Sequence, residues 1–167
     1  MPLQTETQIK IDANDQWWNG EQSIIHEGIL LYFKQNLFRD ENGRYFIHNQ
    51  FGDKHEYGWL ESVLGFCLHV ESIRIHAKTQ SLTLLLNTHT KIERHATEVY
   101  VGGESVLWVE LKPNEQLSQL GKTVIPVRLK PCAMAALGQY LNLDSAENWV
   151  LEFPENTIKL EFKEPIF

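Results

Sequence analysis

The sequence lacks the features that mark several whole classes of protein. Its longest apolar run, residues 82–86 with one Thr, is far too short to span a bilayer. Residues 1–5 are polar, without the basic and apolar regions of a signal peptide. Its 15 basic residues are scattered among 22 acidic ones, whereas nucleic-acid binding needs clustered Lys and Arg. We therefore expect no nucleic-acid partner and no membrane partner.

Cysteine is also scarce. The chain has two, Cys67 and Cys132, in apolar segments and without a neighbouring Cys that would make a metal or redox pair. We expect both thiols to be reduced and buried. Reduced cysteines and the absence of a signal peptide predict a bacterial cytoplasmic protein.

What the sequence has is a mixture of strand and helix signals. Apolar residues at helical spacing predict a helix over residues 23–37, capped by Ser23, and an Ala-rich helix over residues 132–141 after Pro131. Alternation predicts strands and hairpins over residues 67–87 and around Gly102-Gly103, with a bulge near Glu71-Ser72. Residues 50–58 are polar and aromatic and predict an exposed loop. The predicted core is Leu30, Phe33, Leu84, Leu86, Trp108, Val127, Leu137 and Trp149.

The order of these elements predicts an α+β fold that is antiparallel, β-rich and built on two main helices. Both ends of the chain have a strand, a helix, a polar loop and two more strands, which predicts two similar structural repeats. We assign residues 1–90 to an N-terminal β-helix-β repeat and residues 91–167 to a C-terminal one, packed as one compact unit.

Residues that could bind a metal form one cluster in the sequence. His89, His95 and Glu98 precede a glycine turn, an arrangement that resembles the metal-binding stretch of the cupins. Cupins have their two histidines one residue apart, and they need a further His that residues 124–130 do not supply. We therefore predict no metal and no cofactor, and keep a cupin-like metal-dependent enzyme of small molecules as the alternative.

Aromatic residues beside polar ones suggest a binding site. His55, Glu56, Tyr57 and Trp59 fall in the predicted loop, and large aromatics near polar groups often line ligand sites. The predicted ligand-binding residues are Trp18, His55, Glu56, Tyr57, Trp59 and Asn87, with Glu56 and Asn87 supplying polar contacts.

Several segments resemble the bacterial domain of unknown function 1285 family. They are Trp18-Asn19-Gly20, residues 39–47, Glu56, residues 84–87 and residues 124–129. Leu86 and Val127 replace a Thr and an aromatic residue of the family pattern. The resemblance identifies the chain as a divergent relative. It implies an α+β fold with two similar repeats, no established enzyme activity and a loose association with signalling.

These observations favour a non-catalytic module over an enzyme. The sequence has no nucleophile–base pair and no phosphate-binding loop. We predict a ligand-binding or regulatory module whose partner is an unknown small molecule or protein.

Overall fold

The computed structural model describes residues 1–116 and 120–167. The chain divides into two compact units, each discontinuous in sequence. The first comprises Met1–Cys67, Leu111–Pro126 and Phe167, and the second comprises Leu68–Glu110 and Val127–Ile166. The predicted assignment of repeats to residues 1–90 and 91–167 stays a prediction.

The first unit contains two four-stranded sheets and one helix. Its elements are β1 (Leu3–Glu6), β2 (Ile9–Ile11), β3 (Trp17–Asn19), β4 (Gln22–Ser23), α1 (Glu27–Gln35), β5 (Leu37–Arg39), β6 (Tyr45–Phe51), β7 (Lys54–Trp59) and β8 (Ser62–Val63). The strand orders are β1-β7-β6-β5 and β4-β3-β2-β8. The pairings β1–β7 and β2–β8 are parallel, whereas the hairpins β2–β3, β3–β4, β5–β6 and β6–β7 are antiparallel.

Most remaining elements belong to the second unit. They are β9 (Leu68–His76), β10 (Ser81–Leu86), β11 (Lys91–His95), β12 (Tyr100–Val101), β13 (Leu107–Leu111), β14 (Ile125–Leu129), α2 (Pro131–Leu137), β15 (Leu141–Leu143), β16 (Trp149–Phe153), β17 (Asn156–Lys159) and β18 (Glu161–Phe162). A seven-stranded sheet has the order β11-β10-β9-β14-β13-β12-β18, and a three-stranded sheet has the order β15-β16-β17. Short 3-10 turns occupy Ala96–Glu98 and Gly103–Ser105, and Pro113–Glu115 forms a third in the first unit.

These sheets and the two α-helices confirm the predicted α+β fold. The bulge is also confirmed: Leu85 pairs with Ser72 and Leu86 with Val70, so Glu71 is left out of the ladder. The predicted hairpin at Gly102-Gly103 is the pair β12–β13.

Both helices are shorter than predicted. Helix α1 begins at Glu27 because His26 caps it through Nδ1, while Ser23 ends β4. Helix α2 ends at Leu137, and Leu141 starts β15 instead. Helical spacing of apolar residues continued into the next strand in both cases, and the pattern by itself does not mark that boundary.

Five of the eight predicted core residues are buried, and three are only half-buried. Leu30 and Phe33 are half-buried, as α1 contains no fully buried residue at all. Trp149 is half-buried in β16. Cys67 is buried as predicted, but Cys132 is exposed because it lies in the first turn of α2, before the buried residues Ala133 and Leu137.

The loop predicted over residues 50–58 is wrong. These residues form most of the β6–β7 hairpin, with a turn at Gly52 in a positive-φ conformation of 61°. The sequence did not predict these strands because much of the hairpin is exposed to solvent. Polar residues therefore lie on both faces of its outer part, and apolar and polar residues do not alternate there.

Candidate functional site

The register of the β6–β7 hairpin gathers rings on one face of its sheet. Phe46 pairs with Trp59, His48 with Tyr57, and Gln50 with His55. Because neighbouring side chains of a strand point to opposite faces, His55, Tyr57 and Trp59 share a face with Phe46 and His48. We call these five residues the ring face.

The rings of this face contact one another. The centroid of Phe46 lies 4.7 Å from that of Tyr57 and 5.0 Å from that of Trp59, distances typical of favourable aromatic pairs. Phe46 is buried, whereas Tyr57 and Trp59 are half-buried. The ring face therefore has a packed base and a rim that solvent reaches.

Two imidazoles form the outer end of the ring face. His48 Nε2 and His55 Nδ1 are 2.9 Å apart, the ring centroids are 5.2 Å apart, and the planes differ by 4°. Partial burial lowers the pKa of His48, and the neighbouring His55 lowers it further. His48 is therefore neutral at pH 7 and joins His55 in a hydrogen bond.

The opposite end of the ring face is held by charged and amide groups. Strand β1 runs parallel to β7, so Gln4 reaches Trp59 and its Oε1 accepts a hydrogen bond of 2.6 Å from the indole Nε1. The Arg44 guanidinium lies 4.7 Å from the centroid of the Trp59 ring and pairs with Glu6. These contacts fix the orientation of Trp59.

Glu56 projects from the other face of the hairpin. Its carboxylate accepts a hydrogen bond of 2.6 Å from the Thr5 hydroxyl and one of 3.4 Å from Asn49 Nδ2. The structure therefore places Glu56 next to His55 in sequence but outside the ring face.

A cavity of about 460 Å³ opens at the turn end of the hairpin. Apolar side chains from the N-terminal residues and from Phe51 line part of it, and charged residues of β7 and the turn line the rest. The lining residues are Met1, Pro2, Leu3, Phe51, Asp53, Lys54, His55 and Glu56. His55 thus borders the cavity as well as the ring face.

A second cavity, about 690 Å³ and bordered by Lys10, Asn19 and Glu61, has no aromatic residue in its lining.

Trp18 and Asn87 stand apart from the ring face. The Trp18 indole donates a hydrogen bond of 3.0 Å to Asp12 in the β2–β3 turn. Asn87 belongs to the second unit, where it is buried and its Oδ1 accepts a hydrogen bond of 3.1 Å from the His69 backbone N–H. Both are engaged in local structure, and their assignment to a ligand site stays a prediction.

The alternative metal ligands are engaged in backbone contacts. His95 Nδ1 accepts from the Thr97 N–H, and Glu98 Oε2 accepts from the His95 N–H at 2.9 Å, so the two side chains cap a 3-10 turn. His89 lies in a turn with a positive φ of 66°. Within residues 1–116 and 120–167, no three His, Cys, Asp or Glu side chains converge as metal ligands would.

Sequence reasoning missed His48 and Phe46 as members of this face. A usable signal was present: Gly52-Asp53 favours a tight turn, and a two-residue turn there pairs His48 with Tyr57 and Gln50 with His55. A hairpin around that turn makes His48 and His55 diagonal neighbours across the two strands.

Comparisons with known proteins give a fold likeness and no activity. No family model and no curated protein matches the chain. A solved DUF1285 family protein from Silicibacter pomeroyi DSS-3 has a TM-score of 0.64 at 10% identity, covering 97% of this chain and 84% of that one. Another DUF1285 family protein, from Shewanella baltica OS155, has a TM-score of 0.48 at 11% identity, covering 75% of this chain and 85% of that one.

The first of these structures confirms, at the level of the fold, the predicted resemblance to the domain of unknown function 1285 family. At such identity the likeness extends to the fold alone. Among the described residues, every helix is too short or too polar to cross a bilayer.

Proposed function

We propose that this chain is a non-catalytic binding module for a small molecule, with its site at the outer end of the ring face and in the adjoining cavity. The observation that carries the proposal is the cavity of about 460 Å³ bordered by His55 and Glu56. Volumes of about 300–1,000 Å³ with mixed apolar and polar linings are typical of ligand sites.

The lining of the cavity indicates the chemistry of the ligand. Leu3 and Phe51 are exposed apolar side chains that a ligand could cover, while Lys54 and His55 offer hydrogen-bond donors. A small organic acid with an apolar or planar part satisfies both groups. Its carboxylate would meet Lys54, and its apolar or planar part would cover Leu3 and Phe51.

A second hairpin supports a functional origin for the rings. Strands β16 and β17 continue an analogous β-helix-β order, yet Glu152, Thr157 and Lys159 occupy the positions that correspond to His48, Tyr57 and Trp59. The hairpin therefore forms without the rings. Aromatic and imidazole side chains in the first unit are then better explained by binding than by folding.

A thermal-shift screen with small organic acids, nucleotides and metal salts tests the proposal, because a ligand that binds only the native state raises its melting temperature. We expect an organic acid to raise it, His55→Ala or Lys54→Ala to abolish the rise, and the matched Thr157→Ala to leave it intact. A rise that survives both substitutions, or no rise with any compound, would refute the site.

The proposal extends to the wider role of the protein. A regulatory or signalling role in a bacterial cytoplasm is consistent with a module that binds a small molecule without transforming it. We also infer that the two helix-and-hairpin segments are copies of one structural repeat, because their strand registers and turns correspond pair by pair.

A further inference from the structure

The two imidazoles of the ring face meet nitrogen to nitrogen. His48 Nε2 and His55 Nδ1 are 2.9 Å apart, and a neutral imidazole has one nitrogen with a proton and one with a lone pair. Two lone pairs at this distance repel unless a positive charge lies between them. A shared proton fills that position in the hydrogen bond, and a metal cation can take its place.

The separation suits two ligands of one ion. Metal–imidazole bonds are about 2.0–2.1 Å long, so nitrogens 2.9 Å apart subtend an angle of about 90° at the metal. That angle is the one between adjacent positions in square-planar and octahedral geometry, which copper(II) and nickel(II) prefer. The two facing nitrogens now point at each other along one line, so each ring would turn by about 45° to direct its lone pair to the metal.

We propose that His48 and His55 chelate a divalent transition-metal ion, with copper(II) bound most tightly. Among divalent first-row ions, imidazole sites bind copper(II) with the highest affinity. The inference goes beyond the proposed function, since the ion needs only the imidazole pair and no organic ligand.

The surroundings hold the pair ready for an ion. His48 packs with an edge-on geometry against Phe38, at 6.4 Å, and against Tyr57, at 5.6 Å, and these contacts keep its ring beside His55. His55 is exposed, which leaves a path for the ion and open positions for water. One ring carries its proton on the facing nitrogen in the hydrogen bond, so this ring must shift that proton to its other nitrogen before both lone pairs can bind the ion.

Two protein ligands make this a modest site rather than a structural one. In the part of the chain that the structure describes, no third His, Cys, Asp or Glu converges with the pair. Water would complete the coordination, or the carboxylate of a molecule in the adjoining cavity. The affinity then depends on holding both imidazoles in place, as in any chelate.

Titration of the full-length, tag-free protein with copper(II) chloride, followed by electron paramagnetic resonance in a weakly coordinating buffer, tests the inference. We expect one equivalent of copper(II) that binds before any other, with a spectrum that shows coupling to imidazole nitrogen. His55→Gln is the principal variant because its side chain is exposed, and it should weaken that equivalent about a hundredfold. His48→Gln should have the same effect.

His76→Gln is the matched control. His76 is also an exposed strand histidine, but its Nε2 is bonded to the Thr83 hydroxyl at 2.9 Å rather than to another imidazole. If His76→Gln weakens copper binding as much as His55→Gln does, the ion binds surface imidazoles unspecifically and the inference is wrong. Organic-acid binding that survives both Lys54→Ala and His55→Ala, while the unaltered protein binds copper as expected, would instead overturn only the proposed function.

Discussion

Hairpin β5–β6 in the first unit and hairpin β15–β16 in the second share a register and differ in their side chains. Leu37 pairs with Ile47 as Leu141 pairs with Leu151. One face of the first carries Phe38 and two residues of the ring face, Phe46 and His48. The same face of the second carries Asn142, Val150 and Glu152, and Asn142 donates a hydrogen bond of 2.8 Å to Glu152.

The turns of these hairpins are also alike. Asp40 accepts hydrogen bonds from the backbone N–H groups two and four residues later, at 2.9 and 2.7 Å, and Asp144 does the same at 2.8 Å in both cases. The fourth residue of each turn has a positive φ, 83° at Gly43 and 59° at Glu147. An aspartate turn and a strand register thus define the backbone, while the exposed face remains available for other chemistry.

Replacing the central ring should show the largest difference between the hairpins. Phe46→Ala removes a buried ring that contacts Tyr57 and Trp59, and we expect it to lower the free energy of unfolding by about 3–5 kcal/mol. The matched Val150→Ala removes a smaller buried side chain and should cost about 2 kcal/mol. Urea denaturation followed by circular dichroism measures both. Equal losses would mean that the rings contribute nothing special to the first hairpin.

Exchanging the turn residues tests whether the two turns are equivalent. Gly43→Ala places a side chain at positive φ, with its Cβ 3.2 Å from Arg39 Nη2, and should destabilise the protein by about 1–2 kcal/mol. Glu147→Gly relieves the same backbone strain and should stabilise it by about 0.5 kcal/mol, since glycine also costs entropy. Opposite signs in thermal denaturation are the expected result. If both variants destabilise, the turns are not equivalent.

Arg44→Asn gives the first turn the residue found at position 148 of the second. It removes the contact with the Trp59 ring and the exposed ion pair with Glu6. The Arg44 side chain is 47% accessible and the Glu6 side chain is 69% accessible. Exposed pairs contribute little, so we expect a loss below about 1 kcal/mol that shrinks as salt is added. Denaturation at low and high salt measures it, and a loss unaffected by salt would point to the ring contact alone.

Acidification should produce the smallest effect, and we expect His48 to contribute to it. The pKa of His48 is lowered in the folded protein from 6.5, so below pH 6.5 the unfolded chain binds the proton first. The contribution of the neutral His48 ring to the free energy of unfolding is therefore fully present above pH 6.5. It is lost as the pH falls through the pKa that His48 has in the folded protein. His48→Gln should remove this part of the pH dependence, as melting temperatures at about pH 7.5 and about pH 5 would show. His55→Gln should reduce it less, because burial is the larger cause. A pH profile unchanged by His48→Gln would contradict this assignment.

The sequence by itself determined the elements that depend on neighbouring residues. The aspartate turn at residues 40–44, the bulge at Glu71 and the hairpin at Gly102-Gly103 follow from local backbone preferences, and all three occur. Both helices were also predicted, although their ends were not, because apolar spacing continues past the capping residues.

Only the tertiary structure decided where the candidate site lies. The β6–β7 strands are polar on their exposed parts, and β1 joins them by a parallel pairing with residues more than fifty positions away. No local pattern encodes such a pairing, since parallel strands are brought together by packing rather than by a turn. The imidazole pair depends on the register across Gly52, where a shift of one residue would send His55 to the other face.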